Sequence, residues 1–435
     1  MSKILMIMFL SAAVYAGAGS YDRPETDTLD TTSDFGESLE LENLVDAVLA
    51  ENLELKAAEA KADADRAKAG AAGFWPDPTF SVAVSNLPTE ELALNRTPMS
   101  GIQLSIMQKI PFPGKNYYRR KAADAEADST EQGYLNKRNK LIKRTRDAYY
   151  DLYLLERYIE IEETHKTYLG DYARVAEVRY ATGEGPIHDV LRGQVEISLK
   201  TEELITLGQR REVAAGRINV LLGRPPTTEL PPVDRLDLPE LDYGLEELQN
   251  IALADSPAVR GDEHSMAQAE ASRSLNKLEF VPDITVGVGY RIREVVPMDP
   301  VAGEDFWTFS LGFGLPVFSP FKQSHNLDAA SASVEMTRAK LDDTRYEVLL
   351  DVQDLYLQLE EYRLKIELYE EAILPQAEQS LVAALAGYRA GKVDFLTLLN
   401  SEMMLLNSEK MYYRVQVNYC KKTAALEATV GTKLY

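Results

Sequence analysis

Residues that could catalyse a reaction or bind a metal ion are few and scattered in this 435-residue sequence. The single cysteine, Cys420, excludes a disulfide framework and a cysteine-based zinc site. Gly287 and Gly289 lie inside an alternating strand pattern, whereas a nucleotide-binding fingerprint requires glycines between a strand and a helix. The histidines have no metal-ligand spacing; they are His165, His188, His264 and His325. We therefore predict that the protein is not an enzyme and holds neither a cofactor nor a metal ion.

The charge balance excludes further classes of protein. Lysine and arginine number 47 against 69 aspartate and glutamate residues, which gives a net charge of −22. Such an acidic surface is unsuited to nucleic acid, because the neutralisation of phosphates needs clustered lysine and arginine. After the N-terminal stretch, no uncharged apolar run approaches the roughly 20 residues of a membrane-spanning helix. We expect neither a nucleic-acid partner nor a bundle of transmembrane helices.

The N-terminus has the pattern of an export signal. Lys3 precedes an apolar stretch, Ile4–Val14, of the length expected for the hydrophobic region of a signal peptide. Small residues up to Ala18 fit the cleavage rule. We predict a signal peptide over residues 1–18. Because the next segment is polar, acidic and aperiodic, we predict an extended acidic leader over 19–40.

Short motifs recur in the same order in the two halves of the chain. The recurring pairs are Pro76-Asp77 with Pro282-Asp283, Asp151-Leu152-Tyr153-Leu154 with Asp354-Leu355-Tyr356-Leu357, and Tyr180-Ala181-Thr182-Gly183 with Tyr388-Arg389-Ala390-Gly391. Each match alone is weak, but their common order and nearly constant separation indicate an internal twofold repeat. We assign the first repeat to residues 41–223 and the second to 245–431. The proline-rich segment 224–244 is the linker, because proline continues neither a helix nor a central strand.

Each repeat contains two segments in which apolar residues alternate with small or polar ones. They predict β-strands over 79–87 and 102–110 in the first repeat and over 284–293 and 307–315 in the second. An antiparallel sheet on a soluble core is one interpretation. A membrane barrel is favoured, because about 9–10 residues suit a tilted bilayer-spanning strand and the polar helices cannot cover the sheet. Aromatic residues near the strand ends fit a membrane interface; they are Phe74, Trp75, Phe306 and Trp307.

Four strands cannot close a barrel. An open edge in lipid leaves costly unpaired backbone N–H and C=O groups, and single-chain bacterial barrels begin at about eight strands. At least two copies must therefore share one barrel. Both strand hairpins turn within 88–100 and 294–305 and continue into helices at their other ends, so the helices lie together on one side of the membrane. An exported chain would leave these helices in the periplasm.

The helices are too long for a compact globule. Residues 116–180 contain no proline and keep a helical pattern, which at 1.5 Å per residue extends about 100 Å. The matching helix, 323–388, contains Pro375, which should kink it. Apolar residues spaced alternately by three and four positions predict coiled-coil hairpins with the following helices, 189–222 and 395–430. Shorter helices are predicted at the start of each repeat, over 41–72 and 245–278.

These features together resemble the TolC-type outer-membrane efflux protein family. The likeness rests on the hairpin tips at Gly183 and Gly391, the repeated Asp-Leu-Tyr-Leu motifs, and Phe74-Trp75-Pro76-Asp77-Pro78 before the first strand. It implies an α+β membrane protein, a homotrimer in which long coiled-coil hairpins form a tunnel and four strands per chain contribute to a shared twelve-stranded barrel. The segment Gln108–Lys115 resembles the heavy-metal efflux branch of the family.

The resemblance also implies a function and partners. The chain would be the outer-membrane channel of a tripartite efflux system, conducting small molecules or metal ions out of a Gram-negative cell. Its partners would be a periplasmic adaptor protein, an inner-membrane pump and outer-membrane lipid. The hairpin-tip residues that would contact the adaptor are Thr182, Gly183, Glu184, Ala390, Gly391 and Lys392. The residues that would line the periplasmic aperture are Asp189, Arg192, Thr397 and Asn400.

Some roles at the tips have alternatives. Many members of the family have acidic residues where this sequence has Thr397 and Asn400, so an acidic, cation-selecting ring is not implied here. Asp189 could pair with Lys392 of a neighbouring hairpin as a closing latch. Alternatively, Asp189 and Asp394 cap helix N-termini, where a carboxylate is favourable. His188 is expected to be an exposed tip residue.

Two other functions are compatible with much of the same pattern. The channel could be the outer-membrane component of type I protein secretion, because the architecture would be the same. The chain could also be a periplasmic coiled-coil structural or adaptor protein without a barrel. The four alternating segments argue against this last interpretation.

Overall fold

A computed structural model of the chain describes residues 38–89, 92–233, 236–298, 300 and 303–434. The predicted signal peptide, 1–18, and most of the predicted leader, 19–40, lie outside the described residues. In the described part of the chain no helix is both long enough and apolar enough to cross a bilayer.

The described chain is a helix-rich α+β structure whose two halves have the same order of elements. The first half contains α1 Leu41–Glu51, α2 Leu53–Ala72, β1 Thr79–Ser85, β2 Gly101–Ile110, α3 Lys115–Ala181 and α4 Ile187–Leu221. The second half contains α5 Leu245–Asp255, α6 Pro257–Leu278, β3 Ile284–Ile292, β4 Phe306–Phe313, α7 Lys322–Leu368, a π-helical turn Tyr369–Ile373, α8 Leu374–Arg389 and α9 Phe395–Val430.

The short helices at the start of each half are interrupted, which differs from the single helices predicted over 41–72 and 245–278. Asn52 is extended, with ψ 121°. Its side chain accepts a hydrogen bond from Leu55 N at 3.0 Å and donates one to Leu221 O at 3.0 Å. Asn52 therefore caps α2 and ties it to α4. Ser256 is forced out of the helical region because Pro257 follows it.

The four strands form one antiparallel sheet in the order β1-β2-β3-β4. Ser81 is opposite Ser105, which is opposite Gly289, which is opposite Thr308. Because side chains alternate along a strand, these small and polar residues share one face of the sheet. The other face is apolar; its exposed members are Phe80, Val82, Val84, Ile106, Ile284, Val286, Val288, Trp307, Phe309, Leu311 and Phe313. Strands β1 and β4 are the two edges of this sheet.

The long helices run from the sheet to the hairpin tips. Helix α3 has 67 residues, which corresponds to about 100 Å at 1.5 Å per residue. On the matching path α7 and α8 are joined by the π-helical turn Tyr369–Ile373, which ends two residues before Pro375. Proline lacks the N–H for an intrahelical bond. The widened turn before Pro375 marks where the helical hydrogen-bond ladder changes its spacing.

Among the described residues, two apolar clusters hold the helices together. The larger one lies between the short helices, α3, α4, α7 and α9, and includes buried Leu152, Ile218 and Leu426. The smaller one lies towards the tips and includes Leu169, Val190, Leu381, Phe395 and Leu398. The proline-rich segment 224–244 packs on the larger cluster, and Tyr419 Oη donates to Pro239 O at 2.9 Å. The described part of this linker is therefore packed against the helices.

Candidate functional site

Both helical hairpins reverse at a glycine with a left-handed backbone. Gly183 has φ +77° and Gly391 has φ +68°. One residue beyond each glycine, Glu184 N donates to Arg179 O and Lys392 N donates to Gly387 O, each at 2.8 Å. These bonds satisfy the carbonyls that α3 and α8 would otherwise leave free, and they require a residue that tolerates positive φ. The turns are therefore built alike in the two hairpins.

Arg179 joins the two tips. Its Nη1 donates to the carbonyl oxygen of Tyr388 at 2.5 Å, and its Nη2 donates to the carbonyl oxygen of Glu184 at 3.1 Å. The guanidinium also lies 4.7 Å from the centre of the Tyr388 ring, a cation–π contact. The Arg179 side chain on α3 therefore holds the end of α8 against the turn that joins α3 to α4.

Tyr388 connects this contact to Asp189. Tyr388 Oη donates to Asp189 Oδ2 at 3.1 Å, and the tyrosine is only 1% exposed. Burial and the neighbouring Asp189 carboxylate raise the pKa of Tyr388 to about 12. The hydroxyl therefore keeps its proton at physiological pH and remains a donor. We call Arg179, Tyr388 and Asp189 the tip clamp, because together they bind α3, α4 and α8 within one chain.

The two aspartates at the helix starts have different roles. Asp394 caps α9, because its carboxylate accepts hydrogen bonds from Thr397 N at 2.8 Å and Thr397 Oγ1 at 2.5 Å. The Thr397 hydroxyl and amide lower the pKa of Asp394. Asp189 does not cap α4: the N-cap position is Pro186, and Asp189 lies in the first turn bound to Tyr388. The capping alternative therefore holds for Asp394 and is wrong for Asp189.

The remaining predicted tip and aperture residues lie at the surface of the same end of the chain. The exposed ones are Thr182, Gly183, Glu184, His188, Ala390, Gly391, Lys392, Thr397 and Asn400, whereas Arg192 is half-buried. Among the described residues no ion pair joins Asp189 to Lys392; Asp189 bonds to Tyr388 of its own chain instead. A latch to Lys392 of a neighbouring copy stays a prediction.

A buried charge cluster in the middle of the helical region was missed by the sequence analysis. His165 is 0% exposed, and its Nδ1 and Nε2 lie 2.9 Å and 2.8 Å from carboxylate oxygens of Glu402 and Glu409. Burial opposes the charged imidazolium, but the two carboxylates prevail and raise the pKa of His165 to about 9. One turn away, Glu162 pairs with Lys200 at 3.1 Å and with Lys410. In the first repeat Glu162 interrupts the apolar series Leu152, Leu155, Ile159 and Leu169, and this interruption is the signal that could have located the cluster.

A second cluster lies where the sheet meets the helices. Lys115 is 2% exposed and donates to Val281 O at 2.7 Å and to Asp283 Oδ1 at 2.8 Å. Asp283 also accepts a hydrogen bond from Phe112 N at 3.0 Å, and its carboxylate lies 3.0 Å from Lys109 Nζ. Burial opposes its ionisation, yet these partners lower the pKa of Asp283 to about 2. The segment Gln108–Lys115 therefore binds the start of α3 to the start of β3.

The aromatic residues at the strand ends do not all share one face. Phe74 and Trp75 are exposed before β1, and Trp307 lies on the apolar face beside Tyr290, with ring centres 4.9 Å apart. Phe306 lies on the polar face, with the Arg293 guanidinium 5.0 Å from its ring centre. The predicted contact with the lipid interface therefore suits Phe74, Trp75 and Trp307, and the position of Phe306 departs from it.

Comparison with known proteins agrees with this architecture. The family model for outer membrane efflux proteins matches residues 44–224 and again 248–432. The chain belongs to the outer membrane efflux protein family. The resemblance to the TolC-type family is thus confirmed, and this family is one of outer-membrane transport channels rather than enzymes. Its members are proteins of the Gram-negative outer membrane whose helices extend into the periplasm.

Three relatives illustrate the range of the efflux family. The chain is 22% identical over 333 residues to the alkaline protease secretion protein AprF of Pseudomonas aeruginosa, covering 75% of this chain and 69% of AprF. It is 21% identical to the cobalt-zinc-cadmium resistance protein CzcC of Cupriavidus metallidurans, covering 90% of both. The crystal structure of CusC superposes with a TM-score of 0.78 at 18% identity, covering 92% of this chain and 94% of CusC. That likeness shows the fold.

Proposed function

We propose that the chain is the outer-membrane channel of a tripartite efflux system and that three copies share one twelve-stranded barrel. The observation that carries this proposal is the sheet. Its four strands have one exposed apolar face and one small, polar face, and β1 and β4 are both edges. In lipid such edges require partners, because unpaired backbone groups in hydrocarbon are costly.

The surface of the helices supports the same assembly. Helix α4 has an exposed apolar ridge, which consists of Leu191, Val195, Leu199, Val213 and Val220. Helix α7 has another, which consists of Tyr346, Leu350, Leu357 and Leu364. Several of these residues are spaced by seven, the repeat of a coiled-coil seam. Ridges of this kind are covered if α4 of one copy packs on α7 of the next, so the helices would continue the ring of strands as a tunnel.

The tips would form the periplasmic gate of this tunnel. The tip clamp holds α3, α4 and α8 together at the end of the chain remote from the sheet. Release of these bonds would let the hairpins separate and widen the aperture lined by Asp189, Arg192, Thr397 and Asn400. The exposed turns around Gly183 and Gly391 would be contacted by the adaptor protein, which connects the channel to an inner-membrane pump.

The substrate is proposed to be a small molecule or a metal ion. CzcC covers 90% of this chain and is named for resistance to cobalt, zinc and cadmium. Type I protein secretion is the second candidate, because AprF is named as a protease secretion protein. The longer match to CzcC, together with the segment Gln108–Lys115, favours efflux.

Deletion of the gene, followed by a susceptibility screen, tests the proposal. We expect increased sensitivity to drugs or metal salts, restored by the intact gene, and normal export of proteins. A defect confined to protein export would favour secretion. Heat-modifiable trimers in detergent extracts of the outer membrane are the expected form of the protein, and a water-soluble monomer would contradict the shared barrel.

A further inference from the structure

The strands carry an unexpected charge for so acidic a chain. Strands β1 to β4 contain no aspartate or glutamate, and Lys109 and Arg291 are their only charged residues. Lys109 is neutralised, because its Nζ lies 3.0 Å from Asp283 Oδ2. Arg291 has a neutral partner: its Nη2 donates to the Gln103 amide oxygen at 3.0 Å. Among the described residues no carboxylate forms an ion pair with Arg291, so the sheet carries an uncompensated positive charge.

The polar face is shaped around this side chain. Arg291 is opposite Gln103 on β2 and Phe306 on β4, which places it on the face with Ser105 and Thr308. A Cβ on Gly101 would lie 3.1 Å from Arg291 Cγ and 2.8 Å from a backbone oxygen. A Cβ on Gly289 would lie 3.2 Å from Gln103 Nε2. The two glycines thus leave the space in which the Gln103 amide holds the guanidinium along the sheet.

The acidic group directly before β4 is occupied by other donors. Asp305 accepts a hydrogen bond from Tyr290 Oη at 2.6 Å and from Arg293 N at 2.9 Å. Arg293 in turn lies over the Phe306 ring and donates to Glu304 O at 3.3 Å. The strand face therefore presents the Arg291 charge next to neutral hydroxyl and amide groups.

We propose that Arg291 is an anion-binding position on the wall of the channel and that the exported substrates are anions such as carboxylates, phosphates or sulfonates. The inference rests on the proposed function, since a shared barrel of three copies brings three guanidinium groups to one level of the lumen. A guanidinium is charged at every physiological pH. Its free N–H groups form charge-assisted hydrogen bonds with oxyanions. The same charge disfavours free metal cations, so within the proposed function it favours an anionic small molecule over a metal ion as the substrate.

A cysteine on the same face reports the electrostatic potential that Arg291 creates beside the sheet. In Thr308→Cys protein the thiol lies diagonally across from Arg291, and the native Cys420 is 0% exposed, so it does not react. The labelling rates of an anionic sulfonatoethyl and a cationic trimethylammoniumethyl methanethiosulfonate are compared on intact trimers. Added Arg291→Gln should lower the anionic-to-cationic rate ratio about three-fold in 0.1 M salt and much less in 1 M salt. Arg291→Lys should preserve the ratio.

A matched cysteine separates a local field from a general effect. Ser198→Cys is exposed on α4, far along the chain from the sheet, and its rate ratio should not respond to Arg291→Gln. Equal ratios in the Thr308→Cys protein with and without Arg291→Gln would overturn the anion-binding role while leaving the channel proposal intact. Absence of a heat-modifiable trimer in the Thr308→Cys parent would contradict the shared barrel and therefore both proposals.

Discussion

The tip clamp makes a quantitative prediction about gating. Tyr388→Phe removes one hydroxyl and keeps the ring that packs 5.3 Å from Phe395 and under Arg179. A hydrogen bond to a charged acceptor contributes about 1.5–3 kcal/mol. Because Asp189 is half-exposed, the lower value applies, and about 1.5 kcal/mol corresponds to a roughly ten-fold shift towards the open tip in each chain. If three chains open together, about 4.5 kcal/mol would shift the equilibrium roughly 1000-fold.

Conductance of purified trimers in planar bilayers measures this shift. We expect Tyr388→Phe channels to spend far more time open than the parent. Tyr158→Phe is the matched control, because its hydroxyl donates to Lys410 O at 3.2 Å in the middle of the helical region, away from the tips. Equal open probability of Tyr388→Phe and the parent, with unchanged thermal stability, would refute the assignment of the clamp as a gate.

Three further predictions concern the tips, the middle of the helical region and the junction with the sheet. Gly183→Asp and Gly391→Asp should abolish efflux, because a charged side chain at these positive-φ positions disturbs the exposed turns proposed to contact the adaptor. The heat-modifiable trimer should persist, because the sheet is not changed. Unchanged tolerance to drugs or metal salts would count against the role of the turns in efflux. The raised pKa of His165 contributes about 2–4 kcal/mol to the free energy of unfolding. This contribution is fully present below pH 6.5 and is lost as the pH rises through about 9. Between pH 6 and 10 the melting temperature of the parent should therefore fall more steeply than that of His165→Gln. Parallel curves of melting temperature against pH would contradict this role of His165. Lys115→Met should destabilise the folded protein by about 3 kcal/mol, because it leaves Asp283 without its buried partner. Lys109 is more exposed, so Lys109→Met should destabilise it by about 1 kcal/mol or less. Equal melting temperatures of these two variants would contradict the larger contribution of the buried lysine.

The features that depend on repetition were predictable from the sequence. The strands, the long α3 and the glycine turns at Gly183 and Gly391 all follow from periodic patterns or from local backbone requirements. The breaks at Asn52 and Ser256 were not predicted, although Pro257 offered a local signal for the second. Asn52 caps α2 through a contact that also reaches Leu221, which is 169 residues away in sequence. Such long-range capping has no periodic signature.

The candidate site was only partly accessible to the same reasoning. The positions of the tip residues followed from the hairpin turns, but the partner of Asp189 did not, since Tyr388 lies 199 residues further along the chain. His165 was considered only as one of four scattered histidines without metal-ligand spacing, because its carboxylate partners lie on α9 rather than nearby in sequence. Patterns report which face a residue occupies; they do not report which residue from another helix meets it there.

The two open edges of the sheet have a genetic consequence. In the proposed ring, β4 of each subunit pairs with β1 of the next, so every subunit contacts both of the others. Consider a cell that makes equal amounts of intact subunits and of mutant subunits that still pair but block the channel. Only roughly one trimer in eight would then contain intact subunits alone. A blocked allele of this kind should therefore be dominant, whereas an allele whose edge strands cannot pair should be recessive.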